Sequence, residues 1–115
     1  MALLTSTSST AHGTVLPAAQ AVSASDTFAN TNGRTVIEVT NGGGSPITVT
    51  FVPSGTYNIT AAVTYTVASD AQTVTNATSK IFGPFNTLLF GTGTITVNFS
   101  ATTSVTARVI ELGLA

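Results

Sequence analysis

The chain has 115 residues, of which 43% are hydrophobic, 7% aromatic and 6% charged, with a net charge of -1 and no cysteine. That length fits one domain of roughly 100 to 150 residues with one modest core, and the low charge separates it from charge-rich disordered tails. Three basic residues cannot form the phosphate-neutralising stripe of a nucleic-acid-binding domain, and one histidine without cysteine excludes a disulfide framework, a thiol nucleophile and a zinc site of several Cys and His ligands.

Residues 1–14 (MALLTSTSSTAHGT) are rich in Ser and Thr, with Leu3 and Leu4 as the only large apolar pair. They lack the basic start and the apolar run of about 7 to 15 residues of a secretory signal, and no later window approaches the ~18 consecutive apolar residues of a spanning helix. The expectation is a soluble chain made in the cytosol, with a flexible extended arm over residues 1–14 and a single domain over residues 15–115.

Beyond the arm the hydrophobic period is 2. Residues 35–41 (TVIEVTN) read as a strand, and in Ile47-Thr48-Val49-Thr50-Phe51, Val63-Thr64-Tyr65-Thr66-Val67 and Ile95-Thr96-Val97-Asn98-Phe99 apolar residues alternate with Thr or Asn. This is the pattern of half-buried strands, with threonine favouring extended backbone on the wet face. The last run, residues 105–112 (VTARVIEL), has mixed parity: Val105, Ala107 and Val109 share one face, and Ile110 and Leu112 take the other. A bulge, or a strand covered on both sides, accounts for that.

Turn chemistry separates the runs. Residues 41–46 (NGGGSP) and 101–103 are predicted to close two hairpins, over residues 35–52 and 94–112, while Pro53-Ser54-Gly55, Ser69-Asp70 and Gly91-Thr92-Gly93 punctuate the rest. At Gly83-Pro84 the missing N–H and the flexible glycine predict an edge strand, kinked to bury Phe82 or Phe85. No segment shows helical periodicity. The fold class read from these elements is all-β: a small antiparallel β-sandwich, jelly-roll or Ig-like, with Ile47, Val49, Phe51, Val63, Tyr65, Val67, Ile95, Val97 and Phe99 in its core.

Reactive chemistry is sparse. His12 lies in the arm outside any triad motif, and Glu38 and Glu111 read as strand-edge charges rather than a general acid and base. Gly42-Gly43-Gly44 lacks the lysine and the helix of a phosphate-binding loop and reads as a turn. The sequons at Asn58, Asn76 and Asn98 are discounted without a signal segment. A carbohydrate platform of exposed aromatics is disfavoured by the absence of tryptophan and the presence of only two tyrosines, Tyr57 and Tyr65. No cofactor or metal is expected, and neither nucleic acid nor a membrane is expected as a partner.

One constellation carries a resemblance. Asp26-Thr27-Phe28-Ala29-Asn30, Asn32-Gly33-Arg34-Thr35, the strand to Thr40, the turn at residues 41–46 and the strand Ile47-Thr48-Val49-Thr50 resemble small virion structural proteins encoded among phage head genes. Ile81-Phe82-Gly83-Pro84-Phe85, the strand at residues 94–100 and Thr103-Ser104-Val105-Thr106-Ala107 keep that family's order, while the threonine-rich middle, residues 56–79, is longer than its pattern. The resemblance covers roughly residues 25–112. It implies a non-catalytic capsid decoration, or minor capsid, protein that binds the outer surface of the assembled head, with the major capsid protein as partner and the virion as its location. A tail or neck (head-tail connector) component and a carbohydrate-binding sandwich are the alternatives. The low charge and the apolar side chains outside the core parity further predict self-association, with a trimer favoured by symmetry and with Leu3, Leu4, Ile110 and Leu112 as assembly contacts.

Overall fold

A computed structural model describes residues 2–9, 15–53, 56–60, 63–66, 69–85, 87–90 and 93–112. Among the described residues the period of 2 becomes twelve strands: β1 (Ala2–Leu3), β2 (Ser6–Ser9), β3 (Gln20–Ala21), β4 (Ser25–Ala29), β5 (Thr35–Asn41), β6 (Ile47–Val52), β7 (Thr56–Thr60), β8 (Val63–Thr66), β9 (Asp70–Val74), β10 (Thr78–Phe82), then the single-turn helix α1 (Thr87–Phe90), β11 (Thr94–Phe99) and β12 (Val105–Leu112). One sheet has the order β1-β4-β11-β6-β9, and the second β10-β5-β12-β2, with β3 also paired to β12. The result is a small all-β sandwich. Its pairings are antiparallel except where β1 joins β4 and β2 joins β12 in parallel.

Alternation decides what enters the interior. Along β5 every odd residue, Thr35, Ile37, Val39 and Asn41, is buried, and Ile47, Val49 and Phe51 of β6 and Ile95, Val97 and Phe99 of β11 do the same from the facing sheet. These last six are the expected core. Of the other expected core positions, Val67 lies outside the described residues, as do the side chains of Val63 and Tyr65. Their strand β8 pairs with β7 as a separate ribbon, in which Tyr57 and Tyr65 are register partners.

Neither expected hairpin forms. β5 and β6 belong to different sheets, as do β11 and β12, so residues 42–46 and 100–104 are arches that carry the chain across the interior. Facing sheets lie about 10 Å apart, within reach of five residues at up to ~3.5 Å each. Asn41 ties the first arch down: its Oδ1 accepts from Gly43 N (3.0 Å), while Nδ2 donates to Ser45 O (2.8 Å) and across the sandwich to Val74 O (3.1 Å) on β9.

β12 needs no bulge. Its register with β5 runs unbroken from Val105 opposite Asn41 to Glu111 opposite Thr35, so Ile110 and Leu112 lie on the outer face of the sheet.

The flexible arm is also corrected. Residues 2–9 strap the side of the sandwich, β1 extending the first sheet and β2 the second, and between them Leu4 enters the core at 3% exposure. The sheet edges at β4 and β12 present backbone groups that need partners, and a short extended segment supplies them, whatever its Ser and Thr content. Residues 10–14, including His12, lie outside the described residues.

The expected kink is present, and it buries both phenylalanines. β10 is the edge of the second sheet, and Gly83 at φ +104° turns the chain so that Phe82 and Phe85 both meet Phe51, with ring centroids at 5.0 and 5.1 Å. A Cβ at Gly83 would sit 2.8 Å from Thr35 O. Gly83→Ala is therefore expected to cost about 1 to 3 kcal/mol in urea unfolding through a strained backbone and that clash, and a loss under ~0.5 would contradict the reading. Val97→Asp, at a fully buried position between β4 and β6, should abolish soluble folding, because an unpaired buried carboxylate costs several kcal/mol against a total stability of ~5 to 15. Soluble expression with a native circular dichroism spectrum would overturn it.

Candidate functional site

Only side chains of even parity on β5 and β12 reach the outer face of the second sheet, and cross-strand register arranges them in rows. Ile81 of β10 stands opposite Glu38 of β5, which stands opposite Arg108 of β12. One step along, Val36 stands opposite Ile110, which stands opposite Thr7 of β2. At the end of the sheet Leu112 and Arg34 exchange backbone contact (Leu112 N to Arg34 O, 2.8 Å), and Arg34 Nε donates to Leu112 O at 2.9 Å. Ile81 is 65% exposed and Leu112 36%, while Val36 and Ile110 are partly covered by their neighbours. The face is thus an apolar strip beside one ion pair.

That ion pair fastens more than two strands. Arg108 donates through a terminal guanidinium nitrogen to Glu38 Oε1 at 2.6 Å and through Nε to Pro17 O at 2.9 Å, so it holds the segment leading into β3 against the sheet. Both side chains are about one third exposed or less, which limits but does not remove water screening.

The remaining charges are engaged in the same way. Asp26 is fully buried on β4 and accepts from Ser23 N at 2.8 Å and from the Ser23 hydroxyl. Glu111 accepts from Asn32 Nδ2 (2.7 Å), Asp70 accepts from Gln72 Nε2 (2.8 Å), and Lys80 Nζ donates to Thr73 O (3.4 Å). Every charged side chain in the sequence therefore has an internal hydrogen-bond partner. Glu38 and Glu111 do not meet: one is on the outer face beside Arg108, the other has inner parity at the end of the sandwich.

The four expected assembly residues are not brought together. Ile110 and Leu112 share the outer face of the second sheet, whereas Leu3, 61% exposed, pairs beside Thr27 on the first sheet. Leu4 is buried in the core of its own chain. Sequence reasoning missed Ile81 and Val36. Their signal was available, since Ile81 has the opposite parity to the buried Phe82 and Val36 the opposite parity to Ile37.

Two clefts occupy opposite ends of β5. The one between the arches, about 210 Å³, is lined by Asn41, Gly43, Pro46, Ala101 and neighbours, so the glycine turn borders a shallow, mostly apolar hollow. The other, about 410 Å³ and open to solvent, is lined by Asn32, Gly33, Pro84 and Thr87. Among the described residues neither is lined by an ionisable side chain. Among the described residues no group of three or more His, Asp or Glu is placed to hold a metal ion, and no helix is long and apolar enough to cross a membrane.

Because Arg108 joins Glu38 to the Pro17 carbonyl, Arg108→Ala should lower stability by about 1 to 2 kcal/mol and speed amide exchange in residues 15–21. A double-mutant cycle with Glu38→Ala should show a coupling of ~0.5 to 1 kcal/mol, and a coupling of zero would mean that the pair is purely solvated.

No family model matches the chain, and no curated protein or solved structure matches it.

Proposed function

We propose that the chain is a non-catalytic capsid decoration protein, which binds the outer surface of an assembled phage head and stabilises it, with the major capsid protein as its partner. The observation that carries this reading is the combination of an outer sheet face bearing Ile81, Val36, Ile110 and Leu112 with charges that are all engaged inside the chain. Such a surface approaches a protein shell, or further copies of itself, without the repulsion that free charges impose, and it removes apolar area from water on contact. The resemblance of residues 25–112, as read from the sequence, to small head proteins supports the same reading. Trimers on threefold or quasi-threefold positions of the shell are the assembly proposed, since closed cyclic symmetry lets one surface serve every copy.

Two measurements test the proposal. Quantitative mass spectrometry of purified virions of the phage that encodes this chain should find hundreds of copies per particle, whereas about a dozen or fewer would assign it to the neck or tail, and absence would end the virion reading. Ile81→Asp, at an exposed position, should leave the fold intact and weaken binding to purified heads by about tenfold or more. Unchanged binding would remove the outer face of the second sheet from the contact.

A further inference from the structure

We propose that the side of the sandwich beneath residues 2–9 is a strand-acceptor site, and that its alternative occupant is the same segment from a second copy of this chain. The inference concerns the chain alone and does not rest on the capsid reading.

The strap is attached chiefly through its backbone. β1 pairs Ala2 and Leu3 with Asp26 and Thr27, Leu4 N donates to Thr27 O at 2.7 Å, and β2 pairs Ser6 through Ser9 with Val109 through Leu112. At the crossing between the sheets, Gln20 grips Thr5 in both directions: Thr5 N donates to Gln20 Oε1 (3.2 Å) and Gln20 Nε2 donates to Thr5 O (3.0 Å). Among the described side chains Leu4 is the strap's one buried hydrophobic, and every other described member of the hydrophobic core lies at Val22 or beyond. Removal of the strap therefore opens one socket and two sheet edges while leaving the facing layers packed on each other.

Three features suit that site to a strand from another molecule. Both pairings are parallel and sit on the outermost position of their sheets, so no other strand must move for the donor to leave or enter. The donor is joined to the rest of the sandwich by residues 10–14. Its contacts would be chemically identical whether made within one copy or between two, and residues 2–9 carry no charge that would oppose an approaching copy. The donor in cis competes at an effective concentration of about 1 mM, as for other short tethers, so exchange becomes comparable once copies reach that local density. A lattice of copies on a surface provides it; dilute solution does not.

The absence of native cysteine makes the test direct. Full-length Thr5→Cys and Gln20→Cys chains are mixed at about 10 µM and about 1 mM, treated with a short bis-maleimide, and analysed by mass spectrometry. Exchange predicts that at the higher concentration the Thr5–Gln20 heterodimer exceeds either homodimer by about tenfold, and that adding Leu4→Asp to the Thr5→Cys chain returns it to the statistical proportion. A statistical proportion without Leu4→Asp would overturn the proposal. Should a cysteine variant fail to fold, the unmodified chain is titrated with a fluorescent peptide of residues 2–9 up to about 10 mM, above the effective concentration of its own segment. Saturable binding that is lost with the Leu4→Asp peptide supports the acceptor site, and equal binding of the two peptides, or binding of neither, overturns it.

Discussion

The structure depends on the contact of three aromatic rings with a fourth, Phe51. From β6, Phe51 meets Phe28 on the same sheet edge-on at 6.4 Å, and meets Phe82 and Phe85, delivered from the second sheet's edge and the turn beyond it, at 5.0 and 5.1 Å. Rings of this size span much of the gap between facing sheets, and their offset and edge-on packing adds to the burial of their area. The turn at Gly83 brings Phe82 and Phe85, three positions apart, into that one cluster. Asn30 holds the far end of the turn, donating from Nδ2 to Phe85 O at 3.1 Å. Two buried asparagines, Asn30 and Asn41, thus tie loops to the interior at opposite ends of the sandwich, satisfying carbonyls that the strand ladders leave over.

The distribution of charge follows from the same economy. With few ionisable side chains available, most are used to fasten a connection: Arg108 holds residue 17 and Glu38, Arg34 holds the end of β12, Glu111 anchors Asn32, and Lys80 bridges the edge strands β9 and β10. The outer surfaces are left to Thr, Ser and a few exposed aliphatic residues. Such surfaces hydrate well yet offer little electrostatic discrimination against close packing, which links this chain's composition to the assembly proposed for it.

Edge protection is where architecture and assembly meet. Sheets of this kind expose unpaired backbone groups at their margins, and here one side is covered by the chain's own first residues, while on the other β9 and β10 carry Asp70 and Lys80. The covered side is protected by a segment held through its backbone and one leucine. Protection of that type is reversible, whereas a charge written into an edge strand is permanent.

The period of 2 was enough to establish strands and to say which side chain of each pair faces inward, because alternation is a local property of extended backbone. Ile47, Val49, Phe51, Ile95, Val97 and Phe99 were legible for that reason, as were the edge character of β10 and the outward placement of Ile110 and Leu112. Partner choice was not legible. Residues 41–46 serve a hairpin or an arch equally well on local grounds, and only the burial of β5 and β6 against each other across the core selects the arch. Likewise nothing in a Ser- and Thr-rich start distinguishes a free arm from a strap, since the deciding terms are sheet edges more than 20 residues away and a place for Leu4 in the hydrophobic core. Faces are written in neighbouring residues; partners are decided only when the whole chain competes for the same interior and the same sheet edges.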